Sequence, residues 1–285
     1  MSAQRGVALV LVLLITAVLS LLALQFNLEA RERLSKATFL VNRAEAELRL
    51  HSREAAMLHT LLTHAWVTAA ETSAAGSQKP PSNAYVTVWN FRGQSFAIDG
   101  ATFRIQDVSG LQPLPQPRLP DDGFQPLLLG IGVDAARAGD AAARLRAFLG
   151  PPSFTPLQTF ADLQPIAGLT PEEIGRLEAV STLYPTTNFN PGTAPNEVLS
   201  VRFGGSVLQG VQNLRSQGRL DTDSLRRLIN DTGDFTSFYP GPAFRLATKV
   251  SFRGVNLHRE RTLVLKPYGR EPVTLWSHRR LDGSE

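Results

Sequence analysis

Hydrophobic positions run without a break from Val7 to Leu24, eighteen residues free of charge, proline and glycine, with only Thr16 and Ser20 polar. In a helix each of those hydroxyls can bond back to a carbonyl one turn earlier, so the run predicts a helix able to span roughly 30 Å of hydrocarbon. Gln25–Leu28 extends it. A cleaved secretory signal would be shorter in its apolar part and followed by small residues. Here Glu29, Arg31, Glu32, Arg33 and Lys36 follow with no turn residue between. Few basic residues precede the span and several follow it, so charge bias leaves its orientation open.

The pattern then becomes a stripe. Ala30, Leu34, Ala37, Val41, Ala44, Leu48, His51, Ala55, Leu58, Leu62 and Ala65 alternate steps of four and three, and all but His51 are apolar. This predicts a helix packing along one partner surface, a sheet or another helix, with a parallel coiled-coil dimer as the alternative. With no proline or glycine between Val7 and Gly76, one helix of more than sixty residues can form, about 100 Å at 1.5 Å per residue. Ser73–Asn83 carries the residues that end it.

Alternating segments come next. Tyr85–Phe91, a turn at Arg92-Gly93-Gln94, then Ser95–Ile98, a hairpin turn at Asp99-Gly100 and Ala101–Val108 predict two or three antiparallel strands. Gln112–Gly123, with four prolines, reads as a loop. From Phe124 to about Asn230 the pattern is helical. Asp134 caps a helix through Leu149, Thr170-Pro171-Glu172-Glu173 opens another, a third begins near Pro195 and a fourth spans Asp221–Ile229. Strand pattern returns in Ala243–Phe252, turns at Arg253-Gly254, and continues through Val255–Tyr268 and Pro272–His278. The expected fold is α+β: a long N-terminal transmembrane and amphipathic helix packed on an antiparallel sheet that carries a large all-α insertion. The boundaries are a leader at 1–6, a transmembrane helix at 7–28, its amphipathic continuation at 29–72, a sheet domain at 84–123 and 243–281, and the insertion at 124–232.

Composition narrows the chemistry. The chain has no cysteine, which excludes disulfides, thiolate metal sites and a cysteine nucleophile. Its net charge is +4, and nine Lys or Arg residues between Arg245 and Leu281 face only Glu260 and Glu271. Since they alternate with apolar residues, they read as solvated strand faces. Gly130-Ile131-Gly132-Val133-Asp134-Ala135 fits a dinucleotide fingerprint on paper. It lacks both the preceding strand and an acidic residue about twenty positions on, and a helix–turn–helix junction explains it. His51, His59 and His64 lack i, i+4 metal spacing, and Gly204-Gly205-Ser206 has no partner base. Asp121-Asp122 and Asp221-Thr222-Asp223 lack the ligand density of a calcium loop. No catalytic, metal-binding or cofactor-binding residue is assigned, and no small-molecule substrate is expected.

Leu163–Thr170 followed by Glu172-Glu173-Ile174 has the form of half a helix-hairpin-helix. DNA-binding versions place Gly-x-Gly in the hairpin, where the backbone meets a phosphate. Ala167 stands near the first glycine position and the flanking helices are acidic, so a structural hairpin is the expectation. The second reading of the chain is a membrane-anchored DNA-binding or DNA-uptake protein using this segment. A membrane-anchored hydrolase has no supporting constellation.

Three segments together resemble the type II secretion minor pseudopilins of the general secretion pathway protein K family. Gln4-Arg5-Gly6 before the apolar run resembles a prepilin leader cut after glycine, which maps cleavage to the Gly6–Val7 bond. Phe154–Pro185 is similar to the family's helical insert, and Asn188–Leu199 (NFNPGTAPNEVL) to its N-x-N-T-A-P-x-x-V-L signature, here with Pro191-Gly192 inserted. Asp107-Val108-Ser109-Gly110 resembles the turn that precedes the insert. Where family members carry an acidic D-W-I-D-x-D stretch, this chain has Phe148-Leu149-Gly150-Pro151-Pro152, so calcium is not carried over.

The resemblance implies a non-enzymatic subunit in the bacterial inner membrane, single-pass, with its folded domain in the periplasm. Its implied partners are a prepilin peptidase, other minor pseudopilins and the major pseudopilin; nucleic acid is disfavoured. Most pseudopilins carry glutamate at the fifth mature position, and the K component lacks it. Leu11 stands there. An N-terminal ammonium stacked above Leu11 would lie in hydrocarbon without a counter-charge, which is costly. The resemblance therefore implies a place at the tip, where no subunit stacks on top.

Overall fold

The computed structural model describes residues 3–64, 66, 91–117, 123–151, 155–186, 188–229 and 236–282. The expected strand Tyr85–Asn90 and the helix stop at Ser73–Asn83 lie outside these.

The chain begins with one 61-residue helix, α1 (Ala3–Thr63). The hydroxyls of its apolar run are satisfied within the helix. Thr16 Oγ1 donates to the carbonyls of Val12 (3.0 Å) and Leu13 (2.9 Å), and Ser20 Oγ donates to that of Thr16 (2.8 Å). Beyond the apolar run, Glu29–Arg33, Glu32–Lys36 and Glu45–Arg49 pair at i, i+4 on exposed surface. Among the described residues α1 ends at Thr63, and the expected boundary at residue 72 lies outside them. Just beyond it the Trp66 indole N–H caps the carbonyl of Leu61 at 2.7 Å, and its ring meets Phe244 edge-on at 5.0 Å.

Five strands form one antiparallel sheet in the order β1-β2-β5-β6-β7. These are β1 (Arg92–Ile98), β2 (Ala101–Asp107), β5 (Ala243–Phe252), β6 (Val255–Leu265) and β7 (Val273–Asp282). Asp99-Gly100 and Arg253-Gly254 make the two tight hairpins, all four residues having positive φ. The predicted turn at Arg92-Gly93-Gln94 is instead a bulge inside β1. Gly93 has φ 72°, and the register to β2 shifts between Arg92 and Ser95.

α1 packs across β5 and β6. Ala46, Leu50, Met57 and Leu61 close over Phe103, Ile105, Phe244, Leu246, Leu257 and Leu263. Of the described residues of the predicted stripe, Leu58 and Leu62 join this core, half-buried, and the rest do not. Leu34, Val41 and Leu48 are 69, 67 and 67% exposed, and Ala30, Ala37, Ala44 and Ala55 are exposed with them. At 100° per residue the part of the stripe from Ala30 to Ala55 lies on the side of α1 away from the sheet. The helix therefore has two interfaces. The sheet fills one, and the other is bare.

Between β2 and β5 the chain forms a second core. It contains α2 (Phe124–Gly130), α3 (Ala135–Leu149), α4 (Leu163–Ala167), α5 (Pro171–Val180), α6 (Asn196–Ser216) and α7 (Thr222–Ile229). Leu127, Leu128, Leu145, Leu163, Leu177 and Val198 are buried there. The expected helix starts are formed by the residues named for them. Asp134 Oδ1 accepts from the amides of Ala136 and Arg137, and Thr170 and Glu173 make a reciprocal capping box behind Pro171. Residues 130–135 are the α2–α3 junction. Part of the expected proline-rich loop is a short strand, β3 (Gln112–Pro113), parallel to β4 (Ser181–Thr182).

The expectation of solvated charges in the C-terminal strands holds for Lys249, Arg253, Lys266, Arg270 and Arg279, which are exposed, and fails for Arg245, Arg259 and Arg261, which are covered. On the outer face of the sheet Arg245 donates to the carbonyls of Glu178 (2.6 Å) and Ser181 (3.0 Å), and Arg279 grips the Glu178 carboxylate at 2.9 and 3.0 Å. A bulge in β7 leaves Trp276 without a partner on β6, and its ring lies 4.7 Å from that of Tyr184. Insertion and sheet are thus bound together through α5.

Candidate functional site

The resemblance placed its weight on Gly6, Val7 and Leu11. Gly6 and Val7 lie in the first turns of α1, and Leu11 is 58% exposed. From Leu11 to Leu40 every residue of α1 is exposed, and this is the helix long and apolar enough to cross a membrane among the described residues. Leaving each Leu, Ile or Phe of this segment in water rather than burying it costs about 1.5–3 kcal/mol. A surface of this composition needs lipid or other apolar helices around it.

Where α1 reaches the sheet it carries a buried carboxylate. Glu54 is 1% exposed and meets Arg259 at 2.9 Å and Arg261 at 3.4 Å. Both arginines share the α1-facing side of β6 with Leu257 and Leu263, two residues apart along the strand. The sequence contained this signal in two parts: a single acid at helical spacing among Ala46, Leu50, Met57 and Leu61, and two arginines in phase with apolar strand residues. Read separately, neither pointed to the other. A buried triad of this kind is costly to break by halves, and so it fixes where along the sheet α1 docks.

Two of the segments that carry the resemblance, Asp107–Gly110 and Asn188–Leu199, come together around Asp107, a fully buried carboxylate at the end of β2. Its oxygens accept from Ser109 N (2.9 Å), Ser109 Oγ (2.7 Å), Asn190 Nδ2 (3.0 Å), Thr193 Oγ1 (2.9 Å) and Gly241 N (3.3 Å). Gln106 adds a bond from its amide to the Thr193 carbonyl at 3.1 Å, and Asn190 N donates to Ser109 O at 2.9 Å. Burial pushes the Asp107 pKa up, against the pull of bonds from Ser109, Thr193 and Asn190. Gly110 lets the two segments close, since a Cβ there would stand 2.6 Å from Thr193 Oγ1 and 2.8 Å from Ala194 N. The Asp107–Gly110 turn and the Asn188–Leu199 segment form one joint between sheet and insertion.

The helix-hairpin-helix-like segment is a hairpin that buries Leu163, Ala167 and Leu169 and exposes its tip. Gly168 ends α4 in the left-handed conformation, and a Cβ on it would meet Arg144 Nη1 of α3 at 2.8 Å. Ala167 is buried, and Arg137 of α3 grips Glu173 of α5 at 2.6 and 2.9 Å. Gly168 itself is exposed, with the end of the Arg144 side chain beside it.

No family model and no curated relative matches the chain. Its structure is similar to a chain of the crystal structure of the GspK-GspI-GspJ complex from the enterotoxigenic Escherichia coli type 2 secretion system. The two share 16% identity at a TM-score of 0.49, over 89% of this chain and 99% of that one.

Proposed function

We propose that this protein is a minor pseudopilin of the general secretion pathway protein K type. It is a non-enzymatic subunit, anchored in the bacterial inner membrane by α1 with its folded domain in the periplasm. It nucleates a pseudopilus together with other minor pseudopilins, for protein export across the outer membrane. The observation that carries this reading is the division of α1. One continuous helix is clamped to a folded domain over its last turns, while its apolar first half and outward stripe are left bare.

Each part has a physical reason. A rod that is apolar all round at its start suits lipid or a bundle of like helices. An alanine-rich stripe lets a neighbouring helix approach closely. Leu11, where a carboxylate would neutralise a neighbour's ammonium, favours the tip position. The insertion packed on the outer face of the sheet adds bulk there. The sequence resemblance over the leader, insert and asparagine-rich segment supports the same reading, and the Asp107 joint gives two of its motifs a common structural task.

Processing tests it. In cells with a prepilin peptidase, intact-mass measurement of the membrane-bound protein is expected to find Val7 as the first residue. A chain starting at Ser2, or beyond residue 20, would refute the assignment.

A further inference from the structure

Between α5 and the outer face of the sheet opens a cleft of about 590 Å³, a size ordinary for a binding pocket. Among the described residues one face of α5 walls it, with Pro171, Ile174, Gly175 and Glu178 at helical spacing. Phe160, Leu183 and Tyr184 continue the apolar part of that wall. The sheet forms the other side, through Arg245 of β5, Glu260 and Thr262 of β6, and Ser277 and Arg279 of β7. These charges are matched within the protein: Arg279 with Glu178 at 2.9 Å, Glu260 with Arg104 at 3.2 Å, and Arg245 with the carbonyls of Glu178 and Ser181. Thr262 differs. It is 4% exposed, and neither its hydroxyl nor that of Ser277, its register partner, has a hydrogen-bond partner among the described residues. A buried hydroxyl is seldom left so. On the helix side Gly175 adds room, since no atom lies within 4 Å of where its Cβ would stand.

Apolar walls over a hydroxyl floor are the complement of a ring with a polar tip. The peptide-borne form of such a ring follows from β7, the last strand in the sheet order: an extended segment laid along it sends every second side chain over the outer face. We propose that the cleft takes a tyrosine side chain from an extended segment of a neighbouring pseudopilin subunit, with its ring against Phe160, Ile174 and Tyr184 and its hydroxyl bonded to Thr262. Tyrosine buries its ring while its O–H finds a partner. The choice of partner rests on the function proposed above; the recognition chemistry rests on the cleft.

Thermal unfolding of the full chain in neutral detergent, titrated with N-acetyltyrosinamide or N-acetylphenylalaninamide, tests the recognition. The wild type is expected to show a saturable rise in Tm with each, at an apparent affinity about fivefold weaker for the probe without the hydroxyl. Thr262→Val is expected to bring the two affinities together. Gly175→Leu fills the cleft and is expected to abolish both responses while its own Tm stays at or above that of the wild type, a result that misfolding cannot imitate. The source is tested in membranes containing the other pseudopilins of the same system, with a benzophenone maleimide on Gln158→Cys, an exposed position lining the cleft. Photo-adducts are expected on a tyrosine-bearing peptide of another pseudopilin, and Gly175→Leu is expected to remove them. Equal affinities of the wild type for the two probes, a response retained in Gly175→Leu, or adducts that are missing or indifferent to that substitution would overturn the proposal. Any of these in a chain that starts at Val7 removes the cleft proposal alone and leaves the pseudopilin reading standing.

Discussion

Arg259 Nη1 lies 2.9 Å from Glu54 Oε2, joining β6 to the helix that projects from the domain. Arg261 closes on the same oxygen at 3.4 Å. Arg53 of α1 also pairs with Asp99 of the β1–β2 turn at 3.0 Å and Arg49 lies over the Phe252 ring, but both contacts are exposed, so the triad is the buried polar contact that most strongly defines register.

Removing one partner is the informative change. Glu54→Ala leaves two guanidiniums under α1 and is expected to cost about 3–5 kcal/mol. Replacing the triad together, as Glu54→Leu with Arg259→Met and Arg261→Leu, is expected to come close to wild-type stability. Denaturant unfolding followed by near-UV circular dichroism measures both. A loss under 1 kcal/mol in Glu54→Ala would show that the triad contributes little.

Asp107 is the corresponding hub for the insertion. Asp107→Asn turns an NH₂ group toward donors that now meet a carboxylate, at an expected cost of about 2–3 kcal/mol. Asn190→Ala removes one donor and leaves the others, for about 1–1.5 kcal/mol. A double-mutant cycle between Asn190→Ala and Thr193→Ala is expected to be non-additive, since both bond the same oxygen. Additive effects would mean that the two residues act independently.

Two glycines separate steric need from chance. Gly110→Ala forces a Cβ against the Thr193 hydroxyl and the Ala194 amide and is expected to cost about 1–3 kcal/mol. Gly175, an exposed residue within α5, has no atom within 4 Å of the added methyl. Gly175→Ala is expected to stabilise by about 0.5–1 kcal/mol through helix propensity. Paired Tm measurements check the opposite signs.

Acid should loosen the insertion. Glu173 is pushed up by burial, but the Thr170 amide and hydroxyl and the Arg137 guanidinium bring its pKa below the ordinary value. Bonds from Thr159 and Ser224 lower Asp162 and Asp221 likewise. A carboxylate lowered on folding stabilises above its unfolded pKa, near 4, and that stabilisation is lost as pH falls through the folded value. Asp107 has the opposite sign, because a raised carboxylate loses its contribution as pH rises through its folded pKa. Tm is therefore expected to fall between pH 5 and pH 3, and less steeply in Glu173→Gln. An unchanged slope in that variant would contradict the assignment.

Strand and helix boundaries were legible wherever a residue carries its own local reason. Asp99-Gly100, Arg253-Gly254, Asp134 and Thr170-Pro171 each set backbone geometry within a few residues, and each forms what its chemistry predicts. The face of α1 was legible only in half. Heptad spacing identifies a stripe suited to a partner, but spacing alone does not say which partner. The sheet is met by Ala46, Leu50, Met57 and Leu61, a weaker pattern interrupted by Glu54. Trp66, just beyond the end of α1, meets Phe244, far away in sequence, a contact that no local pattern encodes. The same holds for Asp107, whose acidity reads as a turn residue until Asn190 and Thr193 arrive in space. Arg245, Arg259 and Arg261 looked solvated because alternation reports that two faces differ, not that both are covered.

The outward stripe of α1 bears the central claim, and the absence of cysteine makes it directly measurable. Single cysteines at Leu34, Val41 and Leu48, and at the exposed polar positions Arg31 and Ser35, can be cross-linked in membranes containing the other pseudopilins of the same system. The account predicts adducts with a neighbouring pseudopilin from the three stripe positions and little from the polar ones. Equal adducts from every position, or none from the stripe, would contradict it.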